Sequence, residues 1–480
     1  MNLVKVDARQ HKGAGVFKKD YFLGIFLLTI TFCYIFNYFF ESGLLEVIIS
    51  IQAIVFIILS LSALQGSLKY ITYTLMILAI IIFIVNRAPI GEWLDGIRVN
   101  LTLVAIFTLV PLLGIPVRLG GYLESLKLFF ERVNPKPSFV FLVTQTLAHI
   151  LGVVFNIGSI SIVHYLSKAS PIQSPRLLVS AINRGFLSVI FWSPYFGAVA
   201  VVLSMLSTKW GTILPFSLGF VIISFIVSIA VDWSFVKKAD IAYAVEVSAT
   251  KEDSTINEEV STNIDNRVIK RKVIELFLVL LVMMLIVLGI ELFSSLEMAI
   301  IICLVSLFFP MLWSFLHKNQ KEYFRELKDH TFQTIPRIRK EIVLFLISGF
   351  FSAAFMKTDM SSAIISGVTE IFGGYTIGIA YCIVLVIVIT SIAGLHSIVP
   401  VTIFASSFDP SLLGFSPEYF AVLLLASWGV SSTISPATAS SNMLANLWHI
   451  EVTQIAFRWN IKYGIIMAIL LPIYLEIVNV

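Results

Sequence analysis

Residues 139–167 read FVFLVTQTLAHILGVVFNIGSISIVHYLS, a run of 29 residues without a formally charged side chain. A helix of about 20 apolar residues crosses a bilayer, so the run is too long for one simple span and too short for two. A polar segment, Asn156-Ile157-Gly158-Ser159, lies near its middle. We therefore interpret the run as a re-entrant hairpin, in which two half-helices meet at a polar tip.

A second run repeats this pattern at residues 375–408. Its polar segment is Gly394-Leu395-His396-Ser397, and Pro400 follows three residues later. Each arm is again too short to cross about 30 Å of hydrocarbon by itself. The sequence thus predicts a second re-entrant hairpin.

Each predicted hairpin is followed by an apolar run that proline interrupts. Ser193-Pro194 lies within 177–207, and Ser435-Pro436 lies within 416–448. Proline inside a helix removes a backbone hydrogen bond and leaves carbonyl oxygens free, so we expect a broken helix at both places. The break lies 37 residues after Asn156 in the first case and 39 residues after His396 in the second. This matched spacing predicts an internal repeat.

The composition places these elements in a membrane protein. Of 480 residues, 58% are hydrophobic and 13% are charged, whereas soluble proteins carry about 25% charged residues. The predicted fold is an all-α polytopic membrane protein with about 11 transmembrane helices and two re-entrant hairpins in inverted repeats. Its predicted segments are a cytoplasmic N-terminal arm (1–20), scaffold spans (21–96), repeat 1 (97–231), a flexible cytoplasmic linker (232–272), scaffold spans (273–316), a basic cytoplasmic segment (317–340) and repeat 2 (341–480).

Charge placement supports the two hairpins and predicts the orientation. With both hairpins returning to their own side, 29 of the 33 Lys and Arg residues lie on one face, which the positive-inside rule makes cytoplasmic. The other face keeps Arg87, Arg98, Lys209 and Lys357. The hairpins then open to opposite sides, so the repeats are inverted. We expect a multi-pass protein of a bacterial-type plasma membrane, with a cytoplasmic N-terminus and an external C-terminus.

Broken helices in inverted repeats are typical of secondary transporters, which bind solute and ions where helix ends and unwound carbonyls converge. The segment Ser435-Pro436-Ala437-Thr438-Ala439-Ser440-Ser441-Asn442 resembles the break in the second half of divalent anion/sodium symporters. The two hairpin tips occupy the places of that family's Ser-Asn-Thr motifs, although neither tip has that motif intact. The resemblance implies the ion transporter superfamily, with an elevator mechanism, a homodimer and organic anions as solutes.

The resemblance also implies site residues at the tips and breaks. The candidates for solute binding are Asn156, Ser159, His396, Ser397, Thr402, Thr438 and Asn442, and those for Na⁺ are Asn156, Ser193, Gly197, Ser397 and Asn442. Each hydroxyl can instead bond back to a carbonyl of its own helix. His396 can bind an anion or a proton, or it can be a neutral histidine bonded to a carbonyl.

Other ionisable residues refine the expected solute. All 29 Asp and Glu residues, Asp232 among them, fall in termini, loops or span ends, which disfavours a cation exchanger. Arg184 can pair with a solute carboxylate, but its place near a span start favours snorkelling to the cytoplasmic interface. For His149 and His164, in the arms of the first hairpin, we expect a structural role.

The sequence therefore predicts a secondary transporter of a small carboxylate-like anion, driven by Na⁺ or H⁺. Beyond Na⁺ as coupling ion no cofactor is expected, and the partners are the anionic solute and membrane lipids, not nucleic acid. One alternative is a transporter of amphiphilic or lipid-linked envelope material. Another is a membrane-embedded envelope polysaccharide enzyme, but no His-Glu-x-x-His, nucleotide loop or Gly-x-Ser-x-Gly motif occurs, so we do not expect an enzyme.

Overall fold

The computed structural model describes residues 14–132, 136–168, 174–253 and 266–478, and within these ranges every regular element is helical. The helical fold class follows from the apolar runs, because apolar runs in a bilayer must satisfy their backbone hydrogen bonds internally. The first eleven helices are α1 (Ala14–Phe40), α2 (Gly43–Leu61), α3 (Gly66–Val85), α4 (Ile90–Arg98), α5 (Leu101–Leu109), α6 (Gly114–Leu119), α7 (Tyr122–Arg132), α8 (Pro137–Phe155), α9 (Gly158–Ser167), α10 (Pro175–Leu187) and α11 (Gly197–Leu206). The others are α12 (Trp210–Asp253), α13 (Asn266–Phe293), α14 (Met298–Leu316), α15 (Gln320–Asp329), α16 (Arg339–Phe355), α17 (Met360–Phe372), α18 (Thr376–Ile392), α19 (Ile398–Ser407), α20 (Pro417–Thr433), α21 (Ala439–Trp448) and α22 (Ile461–Val478).

The polytopic membrane fold is confirmed. In the described part of the chain, nine helical segments are long and apolar enough to cross a bilayer, or ten if the bent pair of α16 and α17 is counted. Helices α1, α2, α3 and α13 expose many large apolar side chains, as a surface in contact with lipid does. The fold is therefore a helical bundle with an apolar periphery.

The number of candidate spans in the described residues is nine or ten, whereas about eleven were expected. Two features change the number, one lowering it and one raising it. Each broken run divides into helices of fewer than 18 residues, and the run at 341–357 continues into α17 with a bend of 76°. Conversely, the first arm of the first predicted hairpin, α8, has 19 residues and is long enough by itself to cross a bilayer.

The two interrupted helices form the centre of the molecule. α10 is buried from Leu177 to Leu187, and α20 is buried from Tyr419 to Thr433. Between α10 and α11 the chain forms one 3₁₀ turn (Ser188–Phe191) and then passes through Ser193-Pro194. Between α20 and α21 it passes through Ser435-Pro436. Both interruptions therefore lie next to the protein core and away from lipid.

Helix packing follows the order of the proposed repeat. The arm α8 packs against α10 and α12, and the corresponding arm α18 packs against α20 and α22. Contacts between the halves are also matched, since α9 packs against α21 and α11 packs against α19. Such reciprocal pairs are expected of two units related by a two-fold axis, with α10 against α20 near that axis.

Helices occupy parts of both predicted polar segments. The segment predicted as a linker begins inside α12, which continues to Asp253; residues 254–265 lie outside the described residues, as do residues 1–13 of the N-terminal arm. In the basic segment 317–340, α15 is followed by π and 3₁₀ turns that pack against α1. There the His330 Nε2 atom lies 2.6 Å from the carbonyl oxygen of Thr108. The basic segment is therefore part of the packed structure.

A candidate solute cavity between the hairpins and the broken helices

The N-terminal ends of four short helices meet at one cavity of about 140 Å³. Asn156 and Ile157 precede α9, Phe196 precedes α11, His396 lies just before α19, and Thr438 caps α21. Each helix N-terminus carries the equivalent of about half a positive charge. Four partial positive charges therefore lie at the cavity, at the N-termini of α9, α11, α19 and α21.

The first tip is a tight turn centred on Asn156. Its backbone has φ 49° and ψ −135°, and its side-chain Oδ1 accepts a hydrogen bond from the amide of Ile157 at 2.7 Å. The hydroxyl of Ser159 donates to the Asn156 carbonyl at 2.7 Å, so Ser159 stabilises the turn and is not among the cavity-lining residues. The tip therefore presents Asn156 and Ile157 to the cavity.

At the second tip, His396 lines the cavity. Its Nδ1 accepts from the amide of Ile398 at 3.2 Å, and its ring packs edge-on against Phe345 and Trp428, with centroids 5.7 and 6.0 Å away. The neighbouring Ser397 lies behind the tip, where its hydroxyl bonds to Ser391 and Ser431 at 3.0 and 2.9 Å. His396 is thus a ring held by two aromatic side chains, and Ser397 connects the hairpin to α20.

The second break contributes Thr438, Ala439 and Ser440 to the cavity. Thr438 is the N-cap of α21, and its hydroxyl accepts from the amide of Ser441 at 3.3 Å. The Asn442 amide donates to the carbonyls of Thr438 and Pro436, at 2.9 and 3.2 Å. Asn442 therefore holds the broken segment together and does not line the cavity.

The other candidates do not line the cavity. Thr402 bonds back to the carbonyl oxygens of its own helix at Ile398 and Val399. Gly197 gives α11 room, because a Cβ there would lie 2.9 Å from Leu103. Ser193 is fully buried, and its hydroxyl has no hydrogen-bond partner among the described residues. Of the predicted site residues, the structure thus brings Asn156, His396 and Thr438 to the cavity wall.

Glu341 lines the cavity but is not among the site residues predicted from the sequence. It lies in the first turn of α16, and four residues later on the same face Phe345 contacts His396. Glu341 thus lies at a span end, as expected of the acidic residues, but it also lines the cavity. An acid at the start of an apolar run looks like an ordinary interfacial residue, so the sequence contains no signal for this position.

A buried ion pair shows that the expectations for Arg184 and Asp232 are wrong. The Arg184 guanidinium and the Asp232 carboxylate are both fully buried and lie 2.8 Å apart. Arg184 also donates to the Asn460 side chain at 2.8 Å and to the Trp459 carbonyl at 2.9 Å. Arg184 does not snorkel, because α10 is enclosed by α8, α12 and the segment before α22. Asp232 lies well inside α12 and not at a span end.

Both histidines in the arms of the first hairpin are held by structural contacts. His149 Nδ1 lies 2.8 Å from the Ser188 hydroxyl, and its Nε2 accepts from the Trp192 indole at 3.1 Å. His164 is buried and packs edge-on against Trp448, with ring centroids 4.9 Å apart. Neither is among the residues that line the cavity.

Comparisons with known proteins concern the fold alone. No family model matches the chain, and no curated protein matches it. The crystal structure of the YdaH transporter of Alcanivorax borkumensis, described as having an unusual topology, is similar, with 12% sequence identity and a TM-score of 0.50. The similarity covers 85% of this chain and 98% of that chain. The chain thus has the fold of a polytopic membrane transporter, and its resemblance to divalent anion/sodium symporters stays a prediction.

Proposed function

We propose that the protein is a secondary active transporter that moves a small carboxylate-like anion by an elevator mechanism, coupled to Na⁺ or H⁺. The observation that carries the proposal is the convergence of four helix N-termini on one cavity. Partial positive charges from helix ends and polar side chains bind a carboxylate without a basic residue. The similarity of the fold to that of the YdaH transporter also supports transport.

The packing supports a moving unit made of the two hairpins and the two broken helices. These elements contact one another across the halves of the chain, through α9 with α21 and α11 with α19. In the proposed mechanism they move as one body against α2, α3, α13 and α14. For Na⁺ coupling, the buried hydroxyl of Ser193, which has no hydrogen-bond partner in the described part of the chain, is a suitable oxygen ligand. For H⁺ coupling, His396 is a titratable group at the cavity wall.

Purified protein in proteoliposomes tests the proposal. The panel contains monocarboxylates, dicarboxylates, amino acids and sulfate. We expect at least one of the carboxylates to accumulate under a Na⁺ or H⁺ gradient. The double variant Asn156→Gly with His396→Gln should reduce uptake at least tenfold, because it removes the Asn156 amide and the titratable imidazole of His396 from the cavity wall. Glycine at 156 keeps the turn, since it adopts the positive φ without strain.

A surface amide provides the matched control. Asn86 is exposed and bonds only within its own helix, so Asn86→Ala should leave uptake unchanged. Absence of accumulation for every anion under both gradients would contradict the proposed function. Full uptake by the double variant would contradict the assignment of the site.

A further inference from the structure

Glu341 gives the cavity a feature that an anion site does not require. Among the described residues that line the cavity, Glu341 alone carries a formal charge, and no Lys or Arg is present. Its Oε2 atom is buried, and no hydrogen-bond partner for it occurs among the described residues. A buried carboxylate oxygen without a partner is costly, so its place at a binding cavity indicates a ligand group that completes it.

The aromatic rings around Glu341 favour the same ligand group. Phe107, Phe186, Phe196, Phe345 and Trp428 line the cavity together with Glu341. Ring faces attract cations, and a cavity lined by a carboxylate and aromatic side chains is a suitable site for an ammonium group. Lys340 directly precedes Glu341 in the helix. Successive residues of a helix point about 100° apart, and Lys340 does not line the cavity, so it adds no positive charge to the cavity wall.

Two opposite electrostatic regions therefore share one cavity. The helix N-termini at Asn156 and Thr438 suit a carboxylate, whereas Glu341 and the rings suit a positive charge. A bare anion would leave Glu341 without a partner, and a bare amine would leave the helix N-termini without one. From this arrangement we propose that the solute is a zwitterion, a small α-amino acid with an apolar or aromatic side chain, and that Glu341 binds its ammonium group.

This inference rests on the proposed function and adds the chemical class of the solute. The volume of about 140 Å³ is below the range of about 300–1,000 Å³ found for pockets of drug-sized ligands, which agrees with a small molecule. The apolar part of the wall, including Leu103, Leu187 and Ile190, faces the remainder of the solute.

Binding of matched ligands to purified protein, measured by calorimetry, tests the inference. The probes are leucine and phenylalanine, their deaminated analogues 4-methylpentanoate and 3-phenylpropanoate, and the decarboxylated amines 3-methylbutylamine and 2-phenylethylamine. We expect at least one amino acid to bind at least tenfold more tightly than both of its analogues. In Glu341→Gln this preference over the deaminated analogue should fall at least tenfold, whereas affinity for the analogue itself should be unchanged or higher.

Glu322→Gln is the matched control, because Glu322 is an exposed acid on α15 and should not affect the preference. A deaminated analogue that binds wild-type protein as tightly as its amino acid would overturn the inference, and so would a Glu341→Gln variant with the wild-type preference. The comparison of ligands on wild-type protein holds even if the variant does not fold. Transport of simple carboxylates without binding of amino acids would refute the zwitterion and leave the proposed function intact. Binding of amino acids without transport under any gradient would refute the proposed function alone.

Discussion

At the scale of single residues, the buried Arg184–Asp232 pair should contribute to the stability of the core. Both side chains are fully buried, so Asp232→Asn would leave a buried guanidinium without its countercharge. Breaking a buried pair in this way costs about 3–5 kcal/mol. We expect Asp232→Asn to lower the free energy of unfolding by this amount, measured by denaturant titration in detergent.

An exposed pair provides the comparison. Arg98 and Glu46 are 2.7 Å apart with partly exposed side chains, and exposed pairs contribute about 0–1 kcal/mol. Glu46→Gln should therefore have little effect. Replacing both buried partners, as Arg184→Leu with Asp232→Leu, should be less harmful than either single change. Equal losses for Asp232→Asn and Glu46→Gln would show that the buried pair has no special role.

These residues also show the limit of prediction from sequence at this scale. Arg184 and Glu341 both lie near the start of an apolar run, where ionisable side chains usually reach the interface. Their environments depend on helices that are distant in sequence: α12 and the segment before α22 enclose Arg184, and the second tip lies beside the helix that bears Glu341. Position within a run could not reveal these contacts.

At the scale of helices, close contact between α8 and α10 requires glycine at position 185. A Cβ there would collide with the backbone carbonyl oxygen of Gln145, which cannot rotate away. We expect Gly185→Ala to lower the free energy of unfolding by about 1–3 kcal/mol, the range for overpacked cores. Gly289 on α13 has open space around its Cβ position, so Gly289→Ala should be neutral or slightly stabilising. Thermal unfolding of both variants in detergent distinguishes the two cases.

The interruptions of the helices were the part of the fold most accessible from sequence. Ser193-Pro194 and Ser435-Pro436 lie where α10 and α20 have ended, because proline cannot continue a helical hydrogen-bond ladder. Asn156, at the first tip, adopts a positive φ that asparagine tolerates better than most residues. The lengths of the arms were less accessible, since no local signal shows that α8 has 19 residues and α9 only 10.

At the scale of the whole molecule, the distribution of basic residues makes the orientation testable. Lys321 and Asp359 are both exposed, and the predicted topology places Lys321 in the cytoplasm and Asp359 outside the cell. In a background without Cys33, Cys303 and Cys382, a membrane-impermeant maleimide should label Asp359→Cys in intact cells. It should label Lys321→Cys only after permeabilisation. The opposite pattern would reverse the predicted orientation, and labelling of both in intact cells would contradict the span between them.

The buried network around Arg184 has a consequence for biosynthesis. A charged residue within a membrane helix costs up to about 2.5–3.5 kcal/mol during membrane insertion, and α10 is made before the residues that pair with Arg184. Asp232 follows Arg184 by 48 residues, and Asn460 follows it by 276. Stable placement of α10 therefore has to wait until α12 has left the ribosome, and its last hydrogen bonds form only when the segment before α22 arrives. Nascent chains halted between residues 184 and 232 therefore hold Arg184 without the countercharge of Asp232.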